Sequence, residues 1–206
     1  MMPNTAATLS WESIVQRGRV PLLIVRHGQT AWNAEHRFLG RSDIPLNDVG
    51  WMQVKEVGEF LSEIPLSAAY SSPLSRATQT AGAILARRSL PLSQDPRLAE
   101  LDQGHLEGKT AQALVSEHAE FFAAWKIDPA SCRVPGGESF QECQARGMAA
   151  LTELAEQAQP GPPVLVVTHN MLIRSVVCAI RGLPLSQFRN IDQENAAVNL
   201  LSYGDG

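Results

Sequence analysis

Two short apolar runs constrain this chain more than any other feature. Residues 20–25 read VPLLIV and residues 164–168 read VLVVT, and a histidine closely follows each run, His27 in one case and His169 in the other. A continuous run of branched residues, as opposed to an alternating one, marks a strand covered on both faces, as in the parallel sheet of an α/β protein. The pattern therefore places Arg26 and His27 at the carboxyl end of one interior strand and His169 at the end of another.

The segments between these runs alternate helix and strand. Asn47 offers an N-cap, with Trp51, Val54, Val57 and Leu61 following at helical spacing. SAAYSS (67–72) reads as a short strand. SRATQTAGAILARR (75–88) puts Ala77, Ala81, Ile84 and Leu85 on one helical face and Arg76 in the first turn. A third strand near 90–94 leads into PRLAELDQGHLEGK, whose glycines and polar residues break any period. Thr110 opens a further helix with Leu114, Phe121, Phe122 and Trp125 as its stripe, and Ser139 to Glu142 has the spacing of a capping box. Ile173, Val176, Val177 and Ile180 predict a helix directly after His169, and AAVNLLSY (196–203) a last strand. Alternation of this kind predicts a three-layer α/β fold with a mostly parallel central sheet flanked by helices on both faces. Residues 20–206 read as a single catalytic domain and residues 1–19 as an extension, with one or two helical turns in SWESIVQ.

Seventeen basic against 21 acidic residues give a net charge of −4, so no global positive field draws in nucleic acid or an anionic membrane. Any anion must be captured locally. Three cysteines without CxxC spacing argue against a disulfide framework or a zinc cluster, and no signal-peptide core or membrane span is evident; the expected location is cytoplasmic.

Ligands of open α/β sheets bind beyond the carboxyl ends of the strands. At that edge fall RHG after the first strand, SSPLSR after the second, AELDQG after the third and THN after VLVV. Two arginines, two histidines and a helix N-terminus suit a compact dianion such as a phosphoryl group, with Arg26 and Arg76 as forks on its oxygens and the amides after His169 completing the cradle. Glu100, beside a dianion, is a candidate proton donor, and His27 and His169 are candidate nucleophiles. Taken singly, each has an ordinary reading: a hydrogen-bonded strand-end histidine, a helix-surface arginine, a loop carboxylate, with Glu107 simply supporting its loop. Their prediction at one edge is what favours chemistry. A metal held by the histidines would be opposed by the adjacent arginines.

Five motifs in order, LLIVRHGQTAWN, YSSPLSRATQTA, LAELDQGHLEG, PGGES and VLVVTHNMLIR, resemble the histidine phosphatase superfamily, in the branch of cofactor-dependent phosphoglycerate mutases and related small phosphatases. The resemblance covers roughly residues 21–203. It implies that His27 becomes phosphohistidine, that Arg26 and Arg76 bind the phosphoryl group, that His169 stabilises its transition-state charge and that Glu100 is the proton donor. Asn33 falls on a phosphate-pocket position, Thr30 and Gly40 on secondary pocket positions, and Gly28 lets the backbone turn beside the phosphate. No metal or organic cofactor is implied for the phosphatase members, the partner is a small phosphorylated metabolite, and a homodimer is common among relatives.

Three departures bear on substrate. Asn170 and Met171 stand where many members have glycine; Asn170 tolerates left-handed geometry, which would preserve a backbone amide role, but both side chains reshape the pocket. Leu101 replaces the arginine that mutases carry after the donor, and residues 118–139 hold no Arg-Arg pair. The chain also ends soon after the last strand, without the tail that shields phosphohistidine in mutases. These differences favour hydrolysis of a phosphate ester over phosphoglycerate mutase activity or a silent phospho-ligand binding module. Gly104, His105 and the Phe121, Phe122 and Trp125 stripe are expected to cover the crevice.

Overall fold

A computed structural model describes residues 10–203; the first part of the expected extension, residues 1–9, lies outside them, as do residues 204–206. The SWESIVQ segment forms a short helix, α1 (Trp11–Val15). Five strands make one sheet: β1 (Val20–Arg26), β2 (Ala68–Ser71), β3 (Leu92–Gln94), β4 (Val164–Thr168) and β5 (Val198–Tyr203), in the order β3-β2-β4-β1-β5. The first four are parallel, and β5 lies antiparallel on β1.

The two apolar runs are the neighbouring central strands β1 and β4. Leu22, Leu23, Ile24, Val25, Leu165, Val166 and Val167 are at most 1% exposed, so both faces are covered, as the unbroken hydrophobicity requires. Alternate side chains enter different cores. Leu22, Ile24, Val164 and Val166 pack with α7 (Phe140–Gln157) and α8 (Asn170–Ile180), while Leu23, Val25, Leu165 and Val167 pack with α4 (Ser75–Leu85). The helix α3 (Asp48–Phe60) lies against α4 and buries Val54. Asn47 accepts from the Gly50 amide as its cap, and Ser139 and Glu142 form the capping box of α7, both at the expected positions.

Register fixes the active edge. Arg26 pairs with Thr168 across β1 and β4, and the His27 amide donates to the Thr168 carbonyl at 3.0 Å. His27 and His169 therefore leave adjacent strands side by side.

A four-residue helix, α2 (Ala31–Ala34), follows β1. The helix expected from Thr110 through Trp125 is instead two, α5 (Ala111–Glu117) and α6 (Ala119–Ile127), interrupted at His118 with φ −131° and ψ 37°. The apolar periodicity runs through the break, so the interruption is not legible in it. The α6 rings join an aromatic chain in which Phe122 meets Phe38, and Trp125 meets Phe140 and Phe188. Because Leu165 is wholly buried between the layers, Leu165→Ala is expected to lower unfolding free energy by about 2–5 kcal/mol in a denaturant titration, with the transition remaining cooperative.

Candidate active site

His27 and His169 face one another with ring centroids 5.1 Å apart, and their hydrogen bonds assign them opposite tautomers. His27 Nδ1 lies 2.7 Å from the Gly28 carbonyl oxygen. A carbonyl can only accept, so Nδ1 carries the proton and Nε2 keeps a lone pair. At His169 the relation is reversed: Arg76 Nε donates to Nδ1 at 3.3 Å, which leaves the proton on Nε2. Burial, then the charge of Arg76, holds both imidazoles well below their usual range, with Arg26 adding to the effect on His27. Neutral imidazole is the form that attacks phosphorus.

Arg76 is completely buried on α4. Besides His169 it donates to the carbonyls of Ser42 at 2.8 Å and Gly40 at 2.7 Å, leaving two guanidinium hydrogens for a ligand. Two carboxylates hold the loop that offers those carbonyls. Glu107 accepts from the amides of Arg41 at 2.6 Å and Ser42 at 2.8 Å, and Asp43 accepts from the Ser75 amide and hydroxyl, both at 2.7 Å, capping α4 from outside. Glu107 thus supports the 40–42 loop rather than the one it belongs to. Arg26 donates through Nη1 to the Gln193 carbonyl. Burial brings Arg26 and Arg76 to about 10, which leaves both charged at neutral pH.

Three buried side-chain donors have no partner among the described residues: Arg26 Nε–H, His169 Nε2–H and the hydroxyl of Ser71 at the carboxyl end of β2. Unsatisfied buried donors cost about 1–3 kcal/mol each, so their presence at one edge indicates groups kept for an anion. No three metal-ligating side chains come together among the described residues.

Glu100 is 4% exposed, and its carboxylate sits at the N-terminus of α8. Oε1 accepts from the amides of Leu101 at 2.8 Å, Met171 at 3.1 Å and Leu172 at 3.1 Å; Oε2 accepts only from Met171, at 3.1 Å. The less engaged Oε2 is therefore the oxygen that can hold a proton. Burial pushes the carboxyl up, against the pull of the Met171 and Leu101 amides and the Arg76 charge.

This arrangement corrects four expectations. The amides of Met171 and Leu172 are taken by Glu100, so of the amides directly after His169 only that of Asn170 remains for a phosphoryl oxygen. Asn170 is the first helical residue of α8, with no left-handed conformation, and its Oδ1 accepts from Arg174 Nε at 2.9 Å, away from a cradle role. Thr30 is wholly buried, and its hydroxyl accepts from the Asn33 amide to cap α2; it is a structural cap, not a pocket contact. Gly28 has no positive φ. Its constraint is space, because a Cβ there would lie 2.7 Å from Val54 Cγ1 and 2.8 Å from the Gly50 carbonyl.

Gly40 is required for the same reason, since a Cβ would meet Glu107 Oε1 at 2.3 Å and the Gln103 amide at 2.6 Å; it serves the site through its carbonyl. Asn33 Oδ1 accepts from the Thr30 amide, the Thr30 hydroxyl and Asn195 Nδ2, which fixes the side-chain orientation and leaves its NH2 as the free donor. His105 is exposed and its ring packs on Gly136, apart from the buried cluster. The α6 aromatics Phe121, Phe122 and Trp125 pack against the core.

Sequence reasoning passed over several supporting residues. Gln193 and Asn195 anchor the turn before β5 to Arg26 and to the His27 carbonyl, and nothing in their spacing signals it. Arg174 bridges Asn170 and the Phe188 carbonyl. Glu138 and Arg146 brace the Glu100 loop; only the PGGES motif hinted at the former.

Neutral paired imidazoles beside the Arg26 and Arg76 guanidinium groups, with the raised Glu100 carboxyl at the same edge, form a site whose chemistry suits a phosphoryl group. Residues 22–206 match the histidine phosphatase superfamily, branch 1, and the chain belongs to that superfamily. A protein of Salmonella choleraesuis named "Probable phosphoglycerate mutase GpmB" is 36% identical over 180 residues, covering 87% of this chain and 83% of that one. Among solved structures, Bacillus stearothermophilus YhfR superposes with a TM-score of 0.82 at 30% identity, over 88% of this chain and 90% of that one. A mycobacterial glucosyl-3-phosphoglycerate phosphatase in complex with VO3 gives 0.80, also at 30% identity, over 88% and 92%. The enzyme class is that of a phosphatase of this superfamily.

The shifted groups predict opposite pH effects. Both histidines titrate in the fold below their unfolded value of about 6.5, so the unfolded chain binds more protons and stability falls as pH drops from about 8 toward 5. Glu100 is shifted upward, so its contribution is lost as pH rises through the raised value. Glu100→Gln keeps an acceptor oxygen for α8, and its stability relative to the parent is expected to increase between about pH 5 and pH 8, as read by paired denaturant titrations.

Proposed function

We propose that the protein is a metal-independent phosphomonoesterase that hydrolyses a small phosphorylated metabolite through a phosphohistidine on His27, with Glu100 as proton donor. The observation that carries this reading is the opposite tautomers of the two histidines, one presenting a lone pair and the other an N–H. His27 Nε2 attacks phosphorus and the phosphorus–oxygen ester bond breaks. The proton on Glu100 Oε2 passes to the departing alkoxide. Positive charge on the imidazole ring is stabilised by the Nδ1–H bond to the Gly28 carbonyl. A water then attacks phosphorus, its proton returns to Glu100, and the phosphorus–nitrogen bond breaks to give inorganic phosphate and neutral His27. Arg26, Arg76, the Asn33 NH2 and His169 Nε2–H supply the charge stabilisation on which phosphoryl transfer chiefly depends.

Independence from a metal is supported by the donor set, since two buried guanidinium groups beside the histidines oppose a divalent cation. A small substrate is supported by the chain's net charge of −4, which offers no field for a polyanionic partner.

A second reading, phosphoglycerate mutase, is favoured by the name of the 36% identical relative. Against it, Leu101, at the position where mutases carry an arginine, is 1% exposed and packed in the core, so it makes no substrate contact. A panel of phosphate esters assayed with chelator present is expected to show hydrolysis by the parent and a loss of at least about a thousandfold in His27→Ala. With 2,3-bisphosphoglycerate priming, mutase turnover well above hydrolysis would establish the second reading; unimpaired hydrolysis by His27→Ala would remove the phosphohistidine mechanism.

A further inference from the structure

Glu138 and Arg146 take no part in the chemistry above, yet they hold the backbone from which the proton donor projects. Glu138 directly precedes the N-cap of α7, and Arg146 lies about two turns along that helix, so its side chain reaches back past the helix start. Arg146 Nε and Nη2 bind the two Glu138 carboxylate oxygens at 3.0 and 2.6 Å. Nη1 donates to the carbonyls of Arg97 at 2.7 Å and Ala99 at 2.5 Å, and Nη2 to that of Glu100 at 2.9 Å. All five guanidinium hydrogens are thereby engaged. Glu138 also accepts from the Asp102 amide at 2.9 Å, and Arg41 Nε adds a bond to the Glu100 carbonyl at 3.1 Å.

One ion pair thus pins the segment at positions 97, 99, 100 and 102. Its side chains are 17% and 15% exposed, so the charges are largely desolvated. Such a pair is poor evidence for stability, because apolar residues of similar size often do as well. Its geometry suits the alignment of an acid instead. A general acid must be held within a few tenths of an ångström, and displacement of about 1 Å can cost on the order of a hundredfold in rate.

We propose that Glu138 and Arg146 are positioning residues for Glu100, setting the backbone from which the acid reaches the leaving oxygen. The proposal rests on the reading of Glu100 as proton donor. Leaving-group dependence tests both and separates them. Glycerol 3-phosphate releases an alkoxide that needs a proton, whereas 4-nitrophenyl phosphate releases a phenolate that leaves without one. In Glu100→Gln the ratio of kcat/KM for the alkyl ester to kcat/KM for the aryl ester, which reports transfer to His27 and not the shared hydrolysis of phosphohistidine, is expected to fall by about a hundredfold or more. Glu138→Gln and Arg146→Lys are expected to lower the same ratio by about ten- to a hundredfold, with the double variant E100Q/E138Q no lower than E100Q alone.

Equal losses on both esters in Glu138→Gln and Arg146→Lys, with Glu100→Gln behaving as expected, would overturn the positioning role and leave a structural one. An unchanged ratio in Glu100→Gln would overturn the acid assignment and the positioning role with it. Glu138→Gln keeps an acceptor for the Asp102 amide and provides the reading if Arg146→Lys does not fold.

Discussion

Complete burial of the Arg76 guanidinium is the constraint on which the site depends. A buried charge must find partners, and those of Arg76 come from two distant parts of the chain: the carbonyls of Gly40 and Ser42 in one loop and the imidazole of His169. Each partner is then obliged to be held in its turn. Glu107 ties the 40–42 loop, Asp43 returns from that loop to cap the helix bearing Arg76, and Gly40 must lack a side chain for Glu107 to fit. The same guanidinium decides which nitrogen of His169 is protonated. A single buried cation therefore links loop geometry, helix capping and the protonation state of the site.

Glu100 shows how stability and chemistry compete at one residue. Its carboxylate caps α8 by accepting two helix amides, the place where negative charge is most welcome, yet burial disfavours that charge and keeps the proton available. The two acceptor oxygens divide unequally, Oε1 accepting from three amides and Oε2 from one, and on the proposed reading Oε2 carries the proton. Rigidity for the division comes from the surrounding backbone, which is fastened by the Glu138 and Arg146 pair and carries a carboxyl that has little freedom left of its own.

Much of this was legible in the sequence because local patterns report local forces. Unbroken apolar runs identified β1 and β4, since strands buried on both faces cannot alternate. The S-x-x-E spacing located the start of α7, since a cap depends on residues three apart. What escaped was long-range. The helix that follows the break at His118 packs on rings at 38, 140 and 188, and the capture of the Met171 and Leu172 amides by Glu100 joins residues about 70 positions apart. Thr30 matched a pocket position and turned out to be a cap, because a motif gives the residue type and not the direction of its hydroxyl.

By itself, then, the sequence determined a parallel α/β sheet with histidines and arginines gathered at its carboxyl edge, because burial periodicity and strand polarity are properties of short segments. Only the tertiary structure decided which imidazole nitrogen carries a proton, which glutamate oxygen is engaged and which amides remain free. Those states follow from the partners that burial brings to each atom, and the partners arrive from segments whose separation along the chain carries no pattern.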